Sequence, residues 1–180
     1  MSIRNLFSIA ASILLMMYSS LSTAQSDAQY KVASGDIIRI NVFGEPDLSF
    51  EEIKLTDAGT FSYPFLGEVR GNGKTAFEIE NIIASGLRGE YLVDPRVSVS
   101  VLQYREFFIS GEVKTPGAYP FQPGLTLRRA VALAGGLTER ASTKRISLIR
   151  DLSGGRVAEA ATLDTLVMPG DTITIDQGFF

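Results

Sequence analysis

The chain has 180 residues, 45% of them hydrophobic, and a formal net charge of −3 at pH 7. This length fits one ordinary domain or two small ones, and the hydrophobic content is sufficient to form a buried core. Because nucleic-acid binding normally requires a basic patch, this acidic balance predicts no nucleic-acid partner.

The sequence contains neither cysteine nor histidine. Disulfides, thiolate nucleophiles and cysteine metal sites are therefore excluded, and so is histidine, the commonest general base and metal ligand. Metal binding would have to depend on carboxylates, whose spacing here does not match a calcium-binding loop. We predict no metal, no cofactor and no catalytic residue.

The N-terminal segment has the pattern of a secretory signal peptide. The apolar run Leu6–Met17 follows Arg4 and is too short to span a bilayer, which takes about 20 residues. Ser22 and Ala24 occupy the small-residue positions of a signal-peptidase site. We predict a signal peptide at 1–24 and a flexible tail at 25–29. The alternative is a buried N-terminal helix.

The next part of the chain combines strands with one helix. The alternation of Ile38, Ile40 and Val42 with polar residues has the period of a half-buried strand. A turn at 57–59 interrupts the following β-prone stretch. Thr75 and Glu78 form a capping box that predicts a helix start. The predicted apolar face of this helix consists of Ala76, Ile79, Ile82, Ile83 and Leu87. Strand alternation returns at Val97, Val99 and Val101.

A second unit begins near Tyr104 and again combines strands with a helix. Strands are predicted over 106–113, after a turn within 114–121, over 145–150 and over 172–175, with a weaker strand or coil at 157–163. Thr126 is predicted to cap a helix, which Gly135 or Gly136 ends in the left-handed conformation. The predicted apolar face of this helix consists of Leu127, Ala130, Val131 and Ala134.

Several short motifs occur in both halves. "YPF" and "GEV" each occur twice, and the pattern G-D-x-I-x-I occurs as "GDIIRI" at 35–40 and "GDTITI" at 170–175. These matches favour two similar α+β units without establishing a duplication.

Longer stretches carry a family resemblance. "YKVASGDIIRINVFGEPDLS", "DAGTFSYPFLGEVRGNGKT" and "DPRVSVSV" resemble the polysaccharide export domain of Wza-type outer-membrane export proteins. "ISGEVKTPGAYPFQPGLTLRRAVALAGGLTERAS" and "LVMPGDTITI" resemble the soluble ligand-binding β-grasp (SLBB) domain. The resemblance implies an export domain at 30–103 and an SLBB domain at 104–180. The implied fold is α+β, with two small units, each a mixed β-sheet with one packed helix, the second β-grasp-like.

The resemblance implies a role in the export of capsular polysaccharide or exopolysaccharide. In that family, copies of the chain form a ring between an inner-membrane copolymerase and the outer membrane. Long members carry a lipid-bearing cysteine and a C-terminal pore helix, and this sequence has no cysteine and stops at "DQGFF". We therefore expect a short form, periplasmic or peripheral to the outer membrane, that works with a separate pore protein.

Two functions of other classes remain open from the sequence. One is a periplasmic binding module for a small soluble ligand or saccharide. The other is a carbohydrate-active enzyme, for which Glu51, Glu52 and Asp57 are candidate acids. A glycosidase needs two carboxylates held at a defined separation, and neighbouring acidic residues more often form a solvated face.

Arg128 and Arg129 lie in the first turn of the second predicted helix. Positive charge at this end opposes the helix dipole, so an anion from an acidic glycan or a partner would stabilise it. The alternative, which we favour, is two arginines with solvated heads.

Other residues are candidates for contacts between chains. Ala132 lies off the apolar stripe of the same helix, where a neighbouring subunit can approach. Phe107 lies with Tyr104 and Phe108 in an aromatic segment that we interpret as a core or interface strand rather than a glycan contact. Phe179 and Phe180 either dock into a partner or form a frayed end.

Overall fold

The computed structural model describes residues 30–152 and 155–178. The predicted signal peptide, the tail at 25–29 and the pair Phe179 and Phe180 lie outside the described residues. From Lys31 onward the chain forms one unit. Among the described residues, the helices are too short or too polar to cross a membrane.

The described part of the first half, residues 30–103, contains five strands and one α-helix. Its elements are β1 (Ile37–Val42), a 3-10 helix (Pro46–Leu48), β2 (Phe50–Lys54), β3 (Thr60–Tyr63), β4 (Gly67–Arg70), α1 (Ala76–Leu87) and β5 (Val97–Gln103). The strands form a three-stranded sheet in the order β2-β1-β5 and a separate β3-β4 hairpin. The predicted alternation in β1 is confirmed, since Ile38, Ile40 and Val42 are buried.

Helix α1 begins at the predicted capping box. The backbone N–H of Glu78 donates to the Thr75 hydroxyl, and the backbone N–H of Thr75 donates to the Glu78 carboxylate at 2.7 Å. The latter hydrogen bond lowers the pKa of Glu78. Ile79, Ile83 and Leu87 are buried as predicted. Ile82 was expected on the same face but is 36% exposed, because it lies at the edge of the apolar stripe.

The second half, as described over residues 104–152 and 155–178, contains five strands and one short α-helix. Its elements are β6 (Phe107–Gly111), β7 (Gly117–Tyr119), α2 (Leu127–Leu133), β8 (Ala141–Leu152), β9 (Gly155–Ala161) and β10 (Thr172–Gln177). They form a five-stranded sheet in the order β7-β6-β10-β8-β9. The weaker stretch after residue 155 is thus a strand that pairs antiparallel with β8.

The predicted α+β class is confirmed, and the two halves differ in strand direction. The second sheet is mixed, because β6 and β10 pair in parallel while its other pairs are antiparallel. In the first half, every pair of named strands is antiparallel, whereas a mixed sheet was expected. There β1 and β2 are joined by a short reversing connection, and this geometry produces antiparallel neighbours.

Helix α2 packs on one face of the second sheet. Its residues Leu127, Ala130 and Val131, with Ala134 just after it, are buried as predicted. Gly135 and Gly136 both follow with positive φ, so the predicted left-handed helix end is confirmed. The helix covers the inward side chains of β6, β8 and β10, including Phe107, Leu148 and Ile173. The opposite face of this sheet carries the alternate residues.

Tyr63 joins the β3-β4 hairpin to the 3-10 helix at Pro46–Leu48. Its side chain is buried, and its hydroxyl donates a 2.7 Å hydrogen bond to the backbone carbonyl of Leu48. Burial disfavours the phenolate and raises the pKa of Tyr63 to about 12. The folded protein therefore holds this proton at a pH where the unfolded chain has lost it.

We expect Tyr63→Phe to lower the free energy of unfolding at neutral pH by about 1 kcal/mol, since one buried hydrogen bond is lost. In the wild type, the tyrosine contribution is fully present below pH 10 and is lost as the pH rises through about 12. Urea unfolding of both proteins between neutral and strongly alkaline pH measures this. A wild-type curve as flat as that of the phenylalanine variant above pH 10 would contradict the prediction.

Candidate functional site

The two "GD" sequences form the same turn at two places. In the first, Gly35 has φ +87° and the backbone N–H of Ala33 donates to the Asp36 carboxylate at 2.8 Å. In the second, Gly170 has φ +84° and the backbone N–H of Met168 donates to the Asp171 carboxylate at 2.7 Å. Each turn leads into the central strand of its sheet. The repeated motif therefore has one structural role, which is to start β1 and β10.

Both aspartates are buried and paired with arginines. Asp36 is 0% exposed and Asp171 is 1% exposed. Arg150 donates to Asp171 through Nε and Nη2, both at 3.0 Å, and these hydrogen bonds raise the pKa of Arg150. Arg105 reaches Asp36 with its backbone N–H at 2.7 Å and with Nη1 at 3.3 Å. A buried carboxylate depends on such partners, because burial of an unpaired charge is very costly.

Arg105 lies between the two turns. A Cβ atom on Gly35 would contact the Cβ of Arg105 at 3.6 Å, and one on Gly170 would lie 2.6 Å from Arg105 Nε. The backbone around Arg105 also joins the second turn, since the Gly170 N–H donates to the Glu106 carbonyl and the Phe108 N–H donates to the Asp171 carbonyl. This one arginine therefore ties the first half of the chain to the second.

A cleft of about 460 Å³ opens beside Arg105. Its lining residues come from both halves and are Ser34, Gly35, Ile37, Lys54, Gln103, Tyr104, Arg105, Glu106, Phe108 and Gly170. In the first sheet, Ile37 pairs with Lys54 on one side and with Gln103 on the other. These three residues form a row across the end of the sheet, and Phe108 comes from the second sheet. The cleft volume falls within the range of about 300–1,000 Å³ typical of small-molecule sites.

A carboxylate of the same chain, that of Asp164, lies beside the start of helix α2. Arg128 Nη2 lies 3.0 Å from the Asp164 carboxylate, and both side chains are largely exposed. The backbone N–H groups of Leu127 and Arg128 donate to the carbonyls of Thr165 and Leu163. These donors are therefore already satisfied by the 163–165 segment. The Arg129 side chain makes no ion pair with any described residue.

We expect the double variant Arg128→Ala/Arg129→Ala to change the free energy of unfolding by no more than about 0.5 kcal/mol, as is typical of exposed positions. The polysaccharide secretion that the family resemblance implies should stay at the wild-type level, since Asp164 already supplies the neighbouring negative charge. Urea unfolding and secreted polysaccharide per cell measure the two effects. Lost secretion with an intact fold would assign the arginines to a glycan or partner anion, and unfolding would contradict both interpretations.

The remaining candidate contact residues differ in their exposure to solvent. Ala132 is exposed on α2 next to Leu133, which is also exposed. Phe107 was a candidate interface residue, but it is fully buried in the core under α2, because its neighbour Phe108 is the residue of β6 that points away from the helix. Phe108 is 50% exposed. Tyr104 packs edge-on against Phe121 with ring centroids 5.3 Å apart.

The candidate acids of the sequence are surface residues. Glu51 pairs with Arg39 at 2.8 Å, and Glu52 and Asp57 are exposed. Over residues 30–152 and 155–178, no three acidic side chains come together in a way that would hold a metal ion. Sequence reasoning passed over the role of Asp36 and Asp171, although their shared G-D-x-I-x-I motif was the signal that could have revealed it.

Two family matches cover most of the chain. Residues 24–102 match the family described as polysaccharide biosynthesis/export protein, and residues 107–159 match the SLBB domain. Arg105 lies in the short interval between these ranges. The exact domain boundary between 103 and 104 stays a prediction.

Curated proteins of exopolysaccharide systems are similar to this chain. The exopolysaccharide production protein ExoF of Rhizobium meliloti is 40% identical over 50% of this chain and 22% of its own length. The EPS I polysaccharide export outer membrane protein EpsA of Ralstonia nicotianae is 27% identical over 82% of this chain and 47% of its own length. EpsA of Ralstonia solanacearum is 28% identical over 71% of this chain and 40% of its own length. The chain thus spans less than half the length of the curated relatives it matches.

These matches confirm the resemblance on which the sequence analysis relied. The matched export family and the similar EpsA proteins are transport components rather than enzymes, which agrees with the prediction that this chain is not an enzyme. The chain thus carries an export domain followed by an SLBB domain, the pair on which the resemblance to Wza-type polysaccharide export proteins rests.

Proposed function

We propose that this chain is a non-enzymatic component of an exopolysaccharide or capsule export system. The observation that carries the proposal is the order of two adjacent family matches, export domain and then SLBB domain. The names of the similar proteins, which include two polysaccharide export outer membrane proteins, support the same process. In this proposal the substrate is a polysaccharide, and the chain acts in the periplasm or peripherally on the outer membrane.

We further propose that copies of the chain assemble into a ring. The ring would lie between an inner-membrane copolymerase and a separate outer-membrane pore protein. Large apolar side chains on the surface of the export domain support assembly, because such exposed groups often mark protein interfaces. The most exposed are Phe43, Phe77 and Val93, the last at 94%. Phe65 has φ +64° and stacks on Tyr91 with ring centroids 4.3 Å apart, so two partly exposed rings lie together at the surface.

Deletion of the gene and complementation with the wild type test the export function directly. Secreted polysaccharide per cell should fall on deletion and return with the wild-type gene. Unchanged secretion in the deletion strain would overturn the proposed function.

The variant Ala132→Glu tests the role of assembly. Ala132 is exposed on α2 beside the exposed Leu133, so a glutamate there should leave the fold intact and place a charge in the interface. We expect an unchanged thermal melt, a smaller particle in light scattering and loss of secretion. The control is Ala58→Glu, which adds the same charge at an exposed turn of the export domain. A folded monomeric variant that still secretes normally would show that assembly is not required.

A further inference from the structure

The cleft beside Arg105 has the chemical groups of a saccharide site. Its exposed lining residues Lys54, Gln103 and Glu106 offer an ammonium, an amide and a carboxylate. Phe108 adds a half-exposed aromatic ring. Hydroxyl groups of a sugar can donate to carboxylate and amide oxygens and accept from ammonium and amide N–H groups. The C–H face of a sugar ring is attracted to the negative face of an aromatic ring.

The surface next to the cleft is also rich in hydroxyl groups. Phe108 pairs with Thr172 across the parallel strands, and the next outward row contains Ser110 and Thr174. The hydroxyl oxygens of Ser110 and Thr174 are 3.2 Å apart. This face of the second sheet lies opposite the face that α2 covers. An oligosaccharide held in the cleft can therefore extend over these hydroxyl groups of the second sheet. A single sugar in the cleft would be too short to contact them.

We propose that this cleft binds a short saccharide segment of the exported polysaccharide. One sugar ring stacks on Phe108, while Gln103, Lys54 and Glu106 hydrogen-bond to its hydroxyl groups. The adjoining sugar lies over the hydroxyl row of the second sheet.

The shape of the cleft depends on the two glycine turns and on Arg105. Gly35 and Gly170 line the cleft with backbone atoms, and Arg105 between them is fixed by the buried Asp36. The binding groups from the two halves are therefore held at a constant separation. A preorganised site loses less freedom on binding and so binds more tightly.

Calorimetric titration of the full chain tests this inference, which rests on the proposed export function. The probes are short oligosaccharides from partial hydrolysis of the strain's own secreted polysaccharide, and the free monosaccharides from its complete hydrolysis. We expect the wild type to bind the oligosaccharides more tightly than the free sugars. Phe108→Ala should raise Kd about tenfold and Gln103→Ala about fivefold.

Matched controls are Phe77→Ala and Asn72→Ala, which remove an exposed aromatic ring and an exposed amide away from the cleft. Both controls should bind like the wild type. Because Gln103 is exposed on a strand end, its variant reports on binding even if Phe108→Ala fails to fold.

Two results would overturn the inference. One is wild-type affinity for the oligosaccharides in both cleft variants. The other is equal affinity of the wild type for the free monosaccharides and for the oligosaccharides, which would exclude the polymer as the ligand. Neither result would affect the proposed export function if the wild-type gene restores secretion in the deletion strain. Conversely, unchanged secretion after gene deletion would overturn the export function, whereas the binding measurements on the cleft would still hold.

Discussion

Replacement of Arg150 by alanine is expected to lower the free energy of unfolding by about 3–5 kcal/mol. The cause is the carboxylate that remains behind. Asp171 is 1% exposed and receives two 3.0 Å hydrogen bonds from Arg150, so the variant would leave a buried negative charge without its main partner. Urea unfolding at neutral pH, with the same denaturant dependence for both proteins, measures the difference.

Two further variants separate the buried charge from the loss of an arginine. Arg39→Ala removes an exposed ion pair with Glu51 and should cost no more than about 1 kcal/mol. Asp171→Asn in the Arg150→Ala background removes the negative charge and should recover part of the lost stability. If the free energy of unfolding of Arg150→Ala lies within about 1 kcal/mol of the wild-type value, the ion pair with Asp171 does not stabilise the second turn.

The variant Gly111→Ala should be the second large loss of stability. Gly111 ends β6 with φ +82°, and a Cβ atom there would overlap the backbone carbonyl oxygen of Ile175 on the parallel strand β10. The left-handed conformation costs a non-glycine residue about 1–2 kcal/mol, and forced overpacking adds about 1–3 kcal/mol. A backbone atom cannot move aside as a side chain can, so β6 and β10 must separate.

Gly124→Ala is the matched control for this steric effect. Gly124 also has positive φ, 76°, but an added Cβ would meet no atom within 4 Å. Its variant should therefore lose only the conformational part, about 1–2 kcal/mol. Equal losses in the two variants would contradict the predicted collision with Ile175. Thermal melts of both proteins and the wild type provide the comparison.

Local sequence patterns predicted the elements of this fold well. The capping box of Thr75 and Glu78 and the apolar faces of the two helices depend on residues within a few positions of one another. The exposed position of Ile82 shows the limit of this reasoning, because the packing partner decides how wide the buried stripe becomes. Strand direction was harder to predict, since antiparallel pairing in the first sheet follows from connections rather than from alternation.

The site at the junction could not be read from local patterns. Arg105 meets a carboxylate 69 positions earlier in the chain, and Asp171 meets an arginine 21 positions earlier. Nothing in the sequence near Arg105 indicates which acid it binds. The repeated G-D-x-I-x-I motif showed that two turns were alike, but only the fold brings them to the two sides of one arginine.

The place of Arg105 in the interval between the two family matches limits how these domains can be recombined. A chimera that joins this export domain to another SLBB domain keeps Asp36 but replaces Gly170, whose missing side chain leaves room for the arginine. An incoming residue other than glycine would collide with Arg105, and the buried Asp36 would then lose its charge partner. Successful exchange of modules in this chain therefore requires an incoming domain with a glycine at the position of Gly170, alongside the retained Asp36 and Arg105.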